Sequence, residues 1–126
     1  MQDEERSLYE LVGGEATFRR LVDGFYARVE ADPELRVIFP ADMAEGKEAQ
    51  FLFLSQFFGG PTTYSQQRGH PRLRMRHMPF VIDQRKRDLW LKHMLESLDE
   101  LNIDEPMRST MVDYFTNGSE FMINTE

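Results

Sequence analysis

The sequence predicts an all-α domain, and three features of the chain lead to that prediction. Apolar residues recur at intervals of three and four over long stretches, which is the spacing of one face of a helix. No segment alternates between apolar and polar residues in the manner of a half-buried strand. Residues that cap or interrupt helices stand between the periodic stretches. We therefore expect one domain over residues 1–126 with about four main helices.

The first half of the chain predicts one long helix between shorter segments. Ser7 precedes a brief apolar segment that Gly13-Gly14 interrupts, so we expect a turn or two of helix there. A long helix begins near Glu15, and its predicted buried stripe is Phe18, Leu21, Val22, Phe25, Tyr26 and Val29. Asp32-Pro33 begins a further short turn, which ends at Phe39-Pro40.

The second half predicts three longer helices and one long loop. Asp42 is a suitable N-cap for a helix through Phe58, and Gly59-Gly60-Pro61 ends that helix. A polar loop of about twenty residues follows, which is long enough to suggest a functional role. Asp83 caps the next helix, and Asp104-Glu105-Pro106 opens the last one. The predicted stripe after Asp83 consists of Leu91, Met94, Leu95, Leu98 and Leu101, with Trp90 at its edge.

Charge and composition exclude several classes of protein. The chain has no cysteine, so it forms neither disulfides nor thiolate metal sites, a pattern typical of a reducing compartment. The formal net charge of −7 argues against a nucleic-acid-binding protein. The longest apolar run is far too short to span a membrane, and the acidic start differs from the basic start of a signal peptide. We therefore expect a cytoplasmic protein that binds neither nucleic acid nor membrane.

One basic stretch stands out in this acidic chain. No Asp or Glu lies between Ala49 and Ile82, whereas four arginines fall within positions 68–76. They are Arg68, Arg72, Arg74 and Arg76. Because arginine remains charged and pairs with carboxylate or phosphate, this cluster predicts a bound anionic group.

The residues that follow the arginine cluster suggest the nature of its ligand. His77 directly follows Arg76 and precedes an apolar run from Met78 to Ile82. A ligand that is apolar, anionic at one edge and able to accept a nitrogen atom would suit this combination, and haem has all three properties. Ten Phe and eight Met would suit a cavity around a flat ligand, although a core without a cofactor would use them equally well.

Six side chains are candidates for chemistry on residue type alone. Three are the histidines, of which His77 is the candidate metal ligand, whereas His93 has the pattern of an ordinary helix residue and His70 that of a turn residue. The others are Tyr26, Gln50 and Trp90, polar-tipped residues that helical spacing places at or near apolar faces of three helices. They would donate hydrogen bonds to a ligand opposite His77. Alternatively, each ring buries its body and bonds a backbone carbonyl, and Gln50 is solvated.

The order of several short motifs resembles the truncated haemoglobins, specifically their second group. The motifs are IFP, QFFGGP, TYSQQRGHPRLRMRHMPF and RDLWLKHM, and the resemblance extends from about Leu8 to Phe121. It implies a two-over-two helical sandwich around one haem b. In that family, His77 would take the place of the proximal iron ligand, Trp90 that of a distal indole donor and Tyr26 that of a distal phenol.

The resemblance also implies roles for residues around the haem. Gln50 matches a distal-helix position that varies among members. Gly46 matches a position where other globins have a distal histidine or a small residue, which implies an open path for small ligands. The residues expected to pack on the haem or to meet its propionates are Phe39, Phe53, Tyr64, Arg74, Arg76 and Phe80.

These expectations favour a protein that binds O2 and other diatomic ligands at a five-coordinate haem iron. Hydrogen bonds from the distal donors would slow ligand release, which favours a redox or sensing role over bulk oxygen storage. Two alternatives remain. A haem enzyme could act as a peroxidase or nitric oxide dioxygenase with an unidentified reductase, although the chain has no flavin- or nicotinamide-binding glycine motif. A helical module without haem could bind an anion through the arginine cluster. Both a monomer and a homodimer are compatible with the sequence.

Overall fold

Seven helices occupy the part of the chain that the structure, a computed structural model, describes, namely residues 6–70 and 81–125. They are α1 (Leu8–Leu11), α2 (Gly14–Glu30), α3 (Pro33–Arg36), α4 (Ala44–Phe57), α5 (Thr63–Arg68), α6 (Gln84–Asp99) and α7 (Met107–Phe121). No strand occurs within those two ranges, so the predicted fold class is confirmed. Helices α2, α4, α6 and α7 are the four long ones, as the apolar spacing predicts.

Helix α2 lies at the centre of the core. It packs against both α4 and α6, and α6 packs in turn against α7. The buried residues of α2 are the six that the sequence predicts, Phe18, Leu21, Val22, Phe25, Tyr26 and Val29. Since burying one large apolar side chain contributes roughly 1.5–3 kcal/mol, this continuous stripe explains why α2 organises the other helices.

The helix starts follow the predicted caps with one exception. Ser7 forms a capping box with Glu10 at the start of α1, and the Asp83 carboxylate accepts the backbone N–H of Lys86 at the start of α6. The prediction that Asp42 is the N-cap of α4 is wrong, because Met43 occupies that position. The Asp42 carboxylate still accepts the N–H of Ala44 at 2.9 Å, one residue further from the helix than expected.

The long polar loop predicted after Gly60 contains a short helix, so the absence of regular structure predicted there is wrong for Thr63–Arg68. Gln56, near the end of α4, explains the difference. Its side-chain oxygen accepts the backbone N–H of Ser65 at 3.0 Å, and its amide nitrogen donates to the Ser65 hydroxyl at 2.8 Å. Tyr64 is also buried. These contacts join residues nine positions apart, so local periodicity does not show them.

The stripe predicted for α6 is confirmed at its centre. Met94 and Leu98 of α6, and Met111 and Phe115 of α7, are buried. Leu101 is partly buried but lies beyond the end of α6. In residues 6–70 and 81–125, no helix has the length and apolar content required to cross a membrane.

Candidate ligand-binding site

Phe25 brings two of the predicted donors together. Its ring lies 5.4 Å from the Tyr26 ring and 5.4 Å from the Trp90 ring, edge-on in both cases. Tyr26 also meets Phe39 edge-on at 5.9 Å. Side chains from α2, from α6 and from the segment after α3 thus form one aromatic group, and such edge contacts add about 0.5–1.5 kcal/mol beyond area burial.

The segment that carries Phe39 is held in place by Arg36. The Arg36 guanidinium donates to the carbonyl oxygens of Phe39 at 3.2 Å, Pro40 at 2.9 Å and Ala41 at 2.9 Å. Its Nε donates to Glu30 at the end of α2, at 3.2 Å. Because one planar cation satisfies three successive carbonyls, the backbone beside Phe39 is fixed without regular secondary structure.

Helix α4 contributes Gly46 and Gln50 to the same region. A Cβ atom at Gly46 would lie 3.4 Å from the Tyr26 hydroxyl, so this glycine adjoins the tip of the phenol. Gln50 follows four residues later and shares that face of the helix. Its Oε1 atom is buried and has no hydrogen-bond partner among the described residues. Buried polar atoms usually have a partner, so Gln50 directs an unused polar group into the interior.

The two aromatic donors are also unpaired. Within the described residues, neither the Tyr26 hydroxyl nor the Trp90 indole N–H donates a hydrogen bond. The alternative in which these groups bond backbone carbonyls is therefore not found in this part of the chain. Burial raises the pKa of Tyr26 to about 12, so the phenol keeps its proton at neutral pH and remains a donor.

Phe53 and Tyr64 form a second aromatic pair between α4 and α5. Their rings meet edge-on at 5.6 Å, and Tyr64 is buried whereas Phe53 is partly buried. The remaining predicted residues of the haem site, His77, Arg74, Arg76 and Phe80, lie outside the described residues. Their roles stay predictions.

Comparison with known proteins identifies the family. The family described as bacterial-like globin matches residues 7–124 of the chain. The chain is also 38% identical over 116 residues to the group 2 truncated haemoglobin YjbI of Bacillus subtilis, which covers 92% of this chain and 87% of that protein. The chain belongs to the group 2 truncated haemoglobins within the bacterial-like globins.

Solved structures of related proteins match the architecture of this globin closely. A haemoglobin from the thermophilic bacterium Chloroflexus aurantiacus matches with a TM-score of 0.94 and 62% identity, covering 95% of this chain and 99% of that chain. A group II 2-on-2 haemoglobin from Agrobacterium tumefaciens matches with a TM-score of 0.94 and 33% identity over 100% of both chains. The predicted two-over-two helical sandwich is therefore confirmed. Membership of this family implies a haem cofactor and the binding of ligands such as O2.

One partly buried pair in this globin is not predictable from the sequence. His93, which has the pattern of an ordinary helix residue, lies with its Nε2 atom 2.7 Å from Oδ2 of Asp32, which the sequence marks only as a helix cap. The two residues are 61 positions apart. No local signal connects them, so only the packing of α6 against the start of α3 could reveal the contact.

Proposed function

We propose that this globin holds haem b through His77 and binds O2 and other diatomic ligands on the opposite face, beside Tyr26, Gln50 and Trp90. The observation that carries the proposal is the group of unpaired donors on α2 and α6, gathered around Phe25. When bound, haem supplies an iron atom with one protein ligand and one position open to a diatomic molecule. A polar ligand would give these donors the acceptor that they lack among the described residues.

The residues around the site fit such a cofactor. In the described part of the chain, no group donates to the buried Oε1 atom of Gln50. A flip of the amide exchanges its oxygen and its NH2 group. The turned amide would direct its NH2 group inwards, where it would donate to a ligand. Gly46 adds no side chain beside the Tyr26 hydroxyl, which leaves space for a small molecule.

Different side chains would bind the iron, the propionates and the ring of the haem. His77 would supply the imidazole that binds iron, and Arg74 and Arg76 would pair with the propionates. The aromatic side chains expected to pack against the ring are Phe39, Phe53, Tyr64 and Phe80. A flat apolar cofactor among these rings would complete the core on that side.

Hydrogen bonds from the distal donors would set how long a ligand stays. A hydrogen bond to a partly charged acceptor contributes about 1.5–3 kcal/mol, which corresponds to a tenfold or greater change in dissociation. Slow release favours redox chemistry or sensing over bulk storage. A truncated haemoglobin of Bacillus subtilis, 37% identical to this chain with a TM-score of 0.89, is described as oxygen-avid, which supports the proposal. It covers 94% of this chain and 100% of its own.

The visible absorption spectrum of the purified protein tests the cofactor and its ligand together. We expect a strong Soret band in the ferric and dithionite-reduced wild type, with a reduced spectrum typical of five-coordinate iron. The His77→Ala substitution should weaken or shift that band because it removes the iron ligand. His70→Ala is the matched control, since it removes a nearby histidine that has no assigned contact with iron.

Two outcomes would contradict the proposal. A protein that shows no Soret band even after hemin is added does not bind haem. An unchanged spectrum in His77→Ala, together with an altered spectrum in His70→Ala, would show that His70 binds the iron and that His77 does not.

A further inference from the structure

Asp32 and His93 form a short, partly buried contact between the start of α3 and the middle of α6. His93 Nε2 lies 2.7 Å from Asp32 Oδ2, and the side chains are only 12% and 16% exposed. Because a carboxylate only accepts hydrogen bonds, Nε2 carries the proton and donates it. The Asp32 carboxyl also has a lowered pKa, chiefly because of this hydrogen bond. We call the pair the Asp32–His93 clasp.

The clasp lies close to both donor helices of the ligand site. Asp32 follows α2, the helix of Tyr26, by two residues and begins α3, which leads to Phe39. His93 lies three residues after Trp90 on α6, so the two side chains are neighbours on one helix face. The clasp therefore connects the helix of Trp90 to the junction between Tyr26 and Phe39.

Capping α3 does not require His93. The cap uses the other carboxylate oxygen, Oδ1, which accepts the N–H of Glu34 at 3.0 Å and of Leu35 at 3.3 Å. Helix α3 is also attached to α6 by a bidentate pair between Arg85 and Glu34, at 2.6 and 2.9 Å. That pair is well exposed and contributes little to stability, because solvent screens it.

A buried polar pair is itself weak evidence for stability, since the cost of removing both groups from water offsets their attraction. Such pairs can instead specify one arrangement of the surrounding elements. Within the described residues, the ring of His93 makes this one side-chain hydrogen bond, because its Nδ1 atom is buried without a partner. The bond to Asp32 therefore joins this turn of α6 to the start of α3.

We propose that the Asp32–His93 clasp positions the Trp90 indole for hydrogen bonding to a bound ligand, an inference that rests on the proposed ligand-binding function. The ring contacts of Trp90 with Phe25 and Phe115, at 5.4 and 6.2 Å, are apolar and tolerate tilting. The hydrogen bond one turn away has a strict direction. Breaking it allows the helix turn to rotate and the indole N–H to point away from the ligand.

Substitutions at His93 separate the hydrogen bond from the bulk of the ring. His93→Phe keeps a ring of similar size and removes the donor, whereas His93→Gln keeps an N–H that reaches Asp32. Asp32→Ser keeps an oxygen that caps α3, but this side chain is too short to reach His93. It is the second test if His93→Phe does not fold. Arg85→Gln is the matched control because it breaks the exposed contact between the same two helices.

Two measurements report on Trp90. The chain contains one tryptophan, so a ¹H–¹⁵N spectrum of the ferrous, CO-bound protein shows one indole N–H signal. We expect that signal to shift or split in His93→Phe and Asp32→Ser, and O2 dissociation to accelerate about threefold because a misaligned hydrogen bond keeps part of its strength. His93→Gln and Arg85→Gln should match the wild type in both measurements.

Several results would overturn the inference. An unchanged indole signal and O2 dissociation rate in folded His93→Phe or Asp32→Ser would show that the clasp does not position Trp90. Equal changes in Arg85→Gln would show that any contact between α3 and α6 has the same effect. The Trp90→Phe variant distinguishes a failure of the clasp inference from a failure of the proposed ligand-binding function. If Trp90→Phe leaves O2 dissociation unchanged, Trp90 is not a distal donor, whatever the His93 variants show.

Discussion

At the residue scale, the indole N–H of Trp90 is the most direct test of the distal site. Trp90→Phe keeps an aromatic ring beside Phe25 and Phe115 and removes the donor. We expect O2 dissociation to accelerate about tenfold or more, because the lost hydrogen bond is made to a partly charged acceptor. Stopped-flow displacement of O2 by CO measures this rate.

Tyr26→Phe gives the companion measurement on α2. It leaves the edge contacts with Phe25 and Phe39 and removes only the hydroxyl. A similar acceleration would show that both donors act on the ligand, whereas a normal rate in both variants would remove the distal role from this aromatic group.

The sequence names candidate residues for this site but contains no information about their arrangement. Tyr26, Gln50 and Trp90 are recognisable because a polar tip at the edge of an apolar helix face is unusual. The meeting of Tyr26 and Trp90 around Phe25 depends on how α2 packs against α6. A Cβ atom at Gly24 would lie 3.3 Å from the Ser97 hydroxyl, so these helices approach closely at that point. Periodicity within one helix contains no information about that distance.

At the element scale, Gly59 determines how α4 ends. Its φ of +101° is strained for any other residue, and a Cβ atom would lie 2.4 Å from the Ser7 side chain. We expect Gly59→Ala to lower the free energy of unfolding by about 1–3 kcal/mol, because it adds backbone strain and a clash with the cap of α1. Urea denaturation followed by circular dichroism measures this loss.

Gly118→Ala is the control for that substitution. Gly118 lies inside α7, and a Cβ atom there would make an ordinary contact with the Tyr114 ring at 3.9 Å. Alanine favours a helix over glycine by up to about 1 kcal/mol, so this variant should equal or exceed the wild type in stability. Equal losses in both variants would contradict the argument from Gly59.

A helix is predictable from the sequence where a buried apolar stripe of its own stabilises it. It is less predictable where contacts with other elements stabilise it. All six buried positions of α2 follow from spacing alone. Helix α5 depends instead on Gln56 and on the burial of Tyr64, contacts that form only after α4 is in place. The start of α4 differed by one residue because the carboxylate of Asp42 reaches Ala44 from outside the helix.

At the scale of the whole molecule, the phenols of Tyr26 and Tyr114 make the free energy of unfolding depend on pH in the alkaline range. Burial raises the pKa of Tyr26 and of Tyr114 to about 12, from an ordinary value of 10.0. Below pH 10, the phenols are neutral in both states and their contribution is complete. Above it, only the unfolded state ionises, so up to about 2–3 kcal/mol per tyrosine is lost as the pH rises through 12.

Thermal unfolding at a series of alkaline pH values tests this prediction. The melting temperature of the wild type should fall steeply between pH 10 and 12. Tyr114→Phe should show a shallower decline because the unfolded chain then has one ionising phenol fewer. An identical decline in wild type and Tyr114→Phe would show that Tyr114 ionises as readily in the folded protein as in the unfolded one.

The shared contact of Phe25 with Tyr26 and Trp90 has a consequence for attempts to redesign this globin. In a library that varies one donor at a time, a change in the size of either ring would also disturb the other donor, because both rings pack against Phe25. The effect of each substitution on ligand affinity would then depend on whether the other substitution is present. Useful changes in ligand affinity would be found sooner by varying positions 25, 26 and 90 together.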